Sequence, residues 1–216
     1  MHDNDLIRTL SSASIDAYLK NQWETILLDD GRLRHVPGFI EPDLATELYE
    51  KLRASVPWEQ MRFRGHPEPR LTCWMGDFPY RYSGVTREPT PLLPVVAALV
   101  AAAEEFTFGR AAEGRFRGVL LNYYRTGVDK IGLHNDAEPD LEPGAPIASL
   151  SFGATRRFVL RHNRSKKKVE LPLTPGSLLI MEGETQEHWK HELPAEPRCS
   201  EGRINLTMRC RAEVAR

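Results

Sequence analysis

Residues 118–138, GVLLNYYRTGVDKIGLHNDAE, decide how the chain is read. The run up to Tyr124 is apolar and β-prone, and after a Thr126-Gly127 turn His134 and Asp136 stand two residues apart. Side chains on an extended segment alternate with period two, so this imidazole and carboxylate project from one face and can grip one ion. A third ligand would complete a 2-His-1-carboxylate face, which leaves positions on Fe(II) open for a co-substrate and oxygen.

Three histidines downstream can supply it: His162, His188 and His191. His162 lies in a basic run with Arg161 and Arg164, which disfavours a nearby dication. His188 and His191 are not separated by sequence alone, although on one strand they would face opposite sides. An HxD tripeptide with a distant His is a weak signal, and the bland alternative is a solvated turn.

The run RINLTMR at 203–209 adds weight. Arg203, Asn205, Thr207 and Arg209 alternate strictly with Ile204, Leu206 and Met208. A half-exposed surface strand has this pattern, and so does the wall of a barrel whose polar interior binds a dicarboxylate. The second reading rests on the arginines, because a guanidinium fork pairs bidentately with a carboxylate, and the pattern alone leaves both readings open. Asn122 and Tyr124, two apart on the strand before the HxD, offer amide and phenol donors to the same anion.

Working outward, residues 25–40 read as two short strands around an Asp-Asp-Gly turn, with Gly31 supplying a positive φ. Pro42 opens a helix whose stripe is Leu44, Ala45, Leu48, Tyr49 and Leu52. A second helix spans about 91–106, with Leu92, Val95, Val96, Leu99 and Val100 on its apolar face. Residues 58–86 mix aromatics, arginines, prolines and glycines without a period and read as a loop-rich binding surface. Within it Tyr80 and Tyr82 either present rings on which a base can stack or sit half-buried with their hydroxyls satisfied locally. From 114 to 211 turn signals separate many short strands. The fold class is mainly β with flanking helices (α+β), an all-β barrel or jelly roll braced by two helices.

The chain has 216 residues, 41% hydrophobic and 27% charged, enough for one domain with a real core. Residues 1–22 are expected to be a loosely held leader, and 23–216 a single domain with helices and lid over 23–113 and the barrel over 114–211. With 29 Lys plus Arg against 30 Asp plus Glu, a net charge of −1 attracts no polyanion globally. Any affinity for nucleic acid must come from a local patch such as 156–168, RRFVLRHNRSKKK, for which a solvated hairpin is the bland alternative. Cys73, Cys199 and Cys210 lack Cys-x-x-Cys spacing and read as reduced thiols. The longest apolar run, 92–103, is too short to span a bilayer. The expectation is a monomer without membrane contact, cytoplasmic or, in a nucleated cell, nuclear.

Five collinear motifs carry a resemblance: PRLTCWMGDFPYRYSG (69–84), LNYYRTGVDKIGLHNDAE (121–138), PIASLSFGATRRFVLRH (146–162), GSLLIMEGETQEHWKHELP (176–194) and RINLTMR (203–209). Together the chain resembles the AlkB family of Fe(II)/2-oxoglutarate-dependent dioxygenases, above all the members that repair alkylated DNA and RNA. The resemblance implies a double-stranded β-helix, or jelly roll, with His134, Asp136 and His191 as iron ligands. It implies that Asn122, Tyr124, Arg203, Asn205, Thr207 and Arg209 surround 2-oxoglutarate, with Arg203 on its distal carboxylate. Tyr80, Tyr82, Glu138 and Arg161 are implied to meet the substrate, and Ala137 departs from the double-acid pattern of the most similar members. The implied reaction uses Fe(II), 2-oxoglutarate and O2 to demethylate 1-methyladenine- or 3-methylcytosine-type bases in single- or double-stranded DNA, with RNA as a further candidate. The alternatives are the same chemistry on a protein, a lipid or a tRNA base, and a non-catalytic β-barrel that binds nucleic acid.

Overall fold

The alternation at 203–209 resolves into a central strand buried on both faces. The computed structural model describes residues 23–63, 65–82, 84–109 and 114–212, so the leader expected at 1–22 lies outside the described residues. In order, the elements are β1 (Glu24–Leu28), β2 (Gly31–Val36), α1 (Pro42–Ser55), β3 (Arg62–Phe63), β4 (His66–Pro67), β5 (Leu71–Gly76), β6 (Tyr80–Tyr82), β7 (Val85–Arg87) and α2 (Pro94–Phe108). There follow β8 (Phe116–Tyr124), β9 (Ile131–His134), β10 (Ile147–Gly153), β11 (Arg156–His162), β12 (Lys168–Leu173), β13 (Leu178–Glu182), the helical turn α3 (Thr185–His188), β14 (Trp189–Leu193) and β15 (Arg203–Cys210).

Seven strands form the larger sheet in the order β1-β2-β13-β10-β15-β8-β5, and four form the smaller in the order β12-β11-β14-β9. Every pairing within them is antiparallel, and together the sheets make the jelly roll. The strand β15 sits between β10 and β8, with Ser151 opposite Asn205 and Asn122 also opposite Asn205. Its Ile204, Leu206 and Met208 join the core that includes Leu44, Leu48 and Leu52 of α1 and Val96 and Leu99 of α2. Burial of each such side chain is worth about 1.5 to 3 kcal/mol, which holds the helices against the outer face of the sheet. Arg203, Asn205, Thr207 and Arg209 point the other way and line a cavity shared with residues of the smaller sheet. A surface strand is thereby excluded, since all eight residues of β15 are buried.

Four expectations from the sequence are corrected. In the first hairpin the positive φ, 58°, belongs to Asp30, not Gly31. Gly31 is needed for proximity, because a Cβ there would stand 2.7 Å from Thr185 Oγ1. The second helix begins at Pro94, not near 91, and Leu92 is exposed outside it. The residue before a proline is driven to extended backbone, as Leu93 is (ψ 148°), so Pro94 takes the first turn. The stretch 58–86 is not all loop: β5 closes one edge of the large sheet, and β3–β4 and β6–β7 are small hairpins. Likewise β1, β2 and β5 belong to the sheet whose other strands lie beyond residue 113, so the sheet crosses the boundary expected between lid and barrel.

Candidate metal centre and anion pocket

His134 ends β9 and His191 lies on β14; the two are paired in register, so the two imidazoles meet with ring centroids 4.3 Å apart. Asp136 follows two residues on. Its Oδ1 is 3.8 Å from His134 Nε2, and its Oδ2 is 3.9 Å from His191 Nε2. His188 is not on that strand at all, since it closes the turn α3.

Whether the three can hold a metal depends on their protons. His134 Nδ1 donates to the carbonyl of Gly132 at 2.8 Å, and a carbonyl only accepts, so in the neutral ring the lone pair falls on Nε2, which faces Asp136. Burial and the neighbouring His134 push His191 down to about 3, so it is neutral near pH 7. Burial opposes the charge of Asp136, but Arg209 and the two histidines outweigh that effect and hold the carboxyl well below its usual range. Two neutral imidazoles and an ionised carboxylate are the donor set a divalent iron needs.

Asp30, His162 and His188 form a second such cluster, and the same test separates it from the first. The backbone N–H of Ser165 donates to His162 Nδ1 at 3.0 Å, which places the proton of the neutral ring on Nε2. That nitrogen lies 3.3 Å from Asp30 Oδ2, off the line of a hydrogen bond, and a protonated nitrogen does not ligate.

The cavity beside the first cluster is lined by Asn122, Tyr124, Ser149, Arg203, Asn205 and Thr207 among others. Arg203 is 2% exposed, bonds Ser151 Oγ at 2.9 Å, and leaves Nε without a partner. Among the described residues no carboxylate pairs with it, and burial lowers its pKa to about 10. A buried cation without a counter-ion is costly, and an anion entering the cavity relieves that cost. Tyr124 packs beneath the guanidinium, 5.6 Å from ring centroid to Cζ, and burial keeps its phenol protonated as a donor. Asn122 accepts from Arg70 Nε at 2.9 Å through Oδ1, which turns its amide nitrogen free to donate elsewhere. Asn205 and Thr207 are tied into the wall: Asn205 Nδ2 donates to Ser149 Oγ, and Thr207 Oγ1 to Asn205 Oδ1.

Arg209 spans two sites. Its Nη2 donates to Asp136 Oδ1 at 2.9 Å, and its guanidinium lies 5.1 Å from the centroid of Tyr80. Tyr80 is buried, stacked on Trp74 at 4.5 Å, and its hydroxyl donates to Glu138 Oε1 at 2.6 Å. The ring has no open face for a base; of the two readings, the side chain packs in the core with its hydroxyl satisfied. The side chain of Tyr82 lies outside the described residues.

The basic run at 156–168 is largely neutralised. Arg156 is fully buried on the carbonyls of Gly127, Asp129 and Pro194. Arg157 faces Glu170 and Glu196, Arg161 pairs with Glu192 at 3.3 Å, Lys167 with Asp29, and Lys168 with Glu170. Sequence reasoning also passed over Arg70, Ser149, Ser151 and Gln186. The serines had a signal, since Ser149 and Ser151 alternate on the strand that pairs with β15.

A jelly roll with a two-histidine, one-carboxylate cluster beside an anion-seeking arginine defines a class, and residues 32–209 match the model of the 2OG-Fe(II) oxygenase superfamily. The chain belongs to that superfamily, whose members use Fe(II), 2-oxoglutarate and O2. Among curated proteins it is similar to the alpha-ketoglutarate-dependent dioxygenase alkB homolog 3 of Rattus norvegicus, 43% identical over 187 residues, 80% of this chain and 62% of that one. It is also similar to the DNA oxidative demethylase ALKBH2 of Homo sapiens, 38% identical over 182 residues, 76% of this chain and 68% of the relative. The chain therefore spans about 62% of the length of the rat relative. The solved structure titled "The structure of OsALKBH1" shares the fold with a TM-score of 0.60 at 20% identity, covering 85% of this chain and 100% of that one.

Proposed function

We propose that the chain is a nucleic-acid base demethylase that removes N-methyl groups of the 1-methyladenine and 3-methylcytosine type from alkylated DNA, and from RNA as a second substrate. The observation that carries this reading is Arg203, a buried guanidinium with no acid partner among the described residues, in the same cavity as His134, Asp136 and His191. The substrate class comes from the relatives, which are named as demethylases of DNA and alkB homologues.

In this reading His134, Asp136 and His191 hold Fe(II). Arg203 and the Tyr124 hydroxyl receive the distal carboxylate of 2-oxoglutarate, the amide nitrogen of Asn122 donates to the same molecule, and Asn205 and Thr207 keep the wall rigid. Arg209 holds the Asp136 carboxylate and has Nε and Nη1 left for the co-substrate. When bound, iron with 2-oxoglutarate and O2 supplies the oxidant that hydroxylates an N-methyl group, with release of succinate and CO2 and collapse of the hemiaminal to formaldehyde. The residues contribute placement and a fixed electrostatic frame.

Glu138 supports the choice of base. Its Oε1 is taken by Tyr80, while Oε2 is buried with no hydrogen-bond partner among the described residues. An exocyclic amine would satisfy it, and adenine and cytosine carry one where thymine carries a carbonyl. Tyr80 therefore acts through Glu138 in this reading and not by stacking. A base can reach the site only out of its stack, which costs a few kcal/mol in a duplex and less in a single strand. Arg161 pairs with Glu192 at the surface, a weak bond that a phosphate can replace.

Mass spectrometry of matched DNA and RNA oligonucleotides carrying 1-methyladenine, 3-methylcytosine or 3-methylthymine tests the reading, in Fe(II), ascorbate and air with or without 2-oxoglutarate. Loss of one methylene mass from the amine-bearing bases, only with 2-oxoglutarate, is expected. Succinate without demethylation would move the reading to another substrate, and neither product would leave a binding module.

A further inference from the structure

Strand β9 ends at His134, so no ladder hydrogen bond fixes the segment that carries Asp136. Its direction is set by one residue across the chain. The backbone N–H of Asp136 donates to Gln186 Oε1 at 2.9 Å, and Asn135 Nδ2 donates to the Gln186 carbonyl at 2.9 Å. Successive residues thus deliver one donor each to the two acceptors of a single glutamine.

That glutamine is itself held. Thr185, next to it and buried, accepts from the Arg32 N–H at 3.1 Å and donates to the Glu182 carbonyl at 2.5 Å, which binds the turn α3 to β2 and β13. On its far side Gln186 Nε2 stands 3.3 Å from Met181 Sδ. The clamp therefore refers the Asp136 backbone to the large sheet, whereas His134 and His191 are referred to the small one.

We infer that Gln186, with Asn135 as its counterpart, is a positioning residue that fixes the Asp136 carboxylate for the metal; the inference rests on the ligand set proposed above. Arg209 fixes one carboxylate oxygen but leaves the backbone free to turn about it. Gln186 removes that freedom. Partners of this kind, one bond removed from a ligand, are worth about tenfold to a hundredfold in metal affinity.

Titration of the metal-free protein with Co(II), followed by its visible absorption, tests this without turnover. Gln186→Met keeps volume but loses the acceptor, and should weaken Co(II) binding by about tenfold to a hundredfold while the metal-free melting temperature stays near that of the wild type. Gln186→Glu restores an acceptor for the Asp136 N–H and should recover most of the affinity. Wild-type affinity in Gln186→Met, or an equal loss in Gln186→Glu, would overturn the inference. Should Gln186→Met not fold, Asn135→Ala opens the other half of the clamp, and unchanged affinity there would overturn it equally. Asp136→Ala is the control on the ligand set: if it binds Co(II) as the wild type does, the ligand assignment fails and not merely the clamp.

Discussion

Arg209 Nη2 donates to Asp136 Oδ1 at 2.9 Å, and both side chains are 3% exposed. Such a pair is not a source of great stability, because removing two charges from water costs about what their attraction returns. Breaking it is another matter. The remaining carboxylate keeps its burial and loses the cation that does most to offset it.

Arg209→Met should therefore lower the stability of the metal-free protein by about 3 to 5 kcal/mol in chemical denaturation. The exposed Arg53–Glu50 pair on α1 is the comparison, and Arg53→Ala should leave the denaturation midpoint close to that of the wild type. A loss under about 1 kcal/mol for Arg209→Met would show that Asp136 finds another partner.

Gly118 predicts a packing failure. It sits on β8 beneath the indole of Trp74, and an added Cβ would collide with the far edge of that ring and come within 2.9 Å of Phe78 Cε1. Trp74 cannot step aside, since its Nε1 is bonded to the Phe78 carbonyl and its face is stacked on Tyr80. Gly118→Ala should cost about 1 to 3 kcal/mol, lower the melting temperature by about 2 to 4 °C per kcal/mol, and alter the near-ultraviolet circular dichroism of the stack. An unchanged spectrum with unchanged stability would mean that the large sheet opens there.

The strands were legible because a buried β-strand writes its two faces into alternate residues, and β15 does so without exception. The HxD pair was legible for the same reason, and so was the first helix, from Pro42 and its leucine stripe. What stayed hidden depends on contacts between distant residues. No local pattern says that Arg161 will meet Glu192, or Lys167 Asp29, 138 positions away, so the run at 156–168 read as free charge when most of it is paired. Gln186 was invisible in the same way: its partners lie about 50 positions upstream, and a lone glutamine carries no period. Spacing alone left His188 and His191 open; the resemblance chose His191, and no local pattern said that His188 would end a helical turn.

Thiol chemistry should divide the three cysteines. Burial pushes the Cys210 thiol up to about 11, raises that of Cys73, and keeps both from solvent, whereas Cys199 is partly exposed. The thiolate is the reactive form, so near pH 8 the folded protein should exchange rapidly with a disulfide reagent at one thiol, releasing one equivalent of the reagent's thiolate, and three equivalents only after denaturation. Rapid release of two or more would show that the β5 or β15 end of the large sheet opens readily.

Arg203 offers the sharpest separation of binding from chemistry. Its guanidinium touches the cavity but none of His134, Asp136 or His191 hydrogen-bonds it, so its loss should spare the metal and penalise the anion. A charge-assisted hydrogen bond to a buried anion is worth about 1.5 to 3 kcal/mol, or about tenfold to a hundredfold in apparent affinity. Arg203→Met should raise the 2-oxoglutarate concentration for half-maximal succinate formation by that factor while Co(II) affinity stays at the wild-type value. Arg203→Lys should recover only part, because an ammonium cannot hold a carboxylate and Ser151 Oγ with the same planar fork. If Arg203→Met keeps an ordinary co-substrate dependence, the anion pairs elsewhere, and Arg209 with its two unpartnered nitrogens becomes the cation to test.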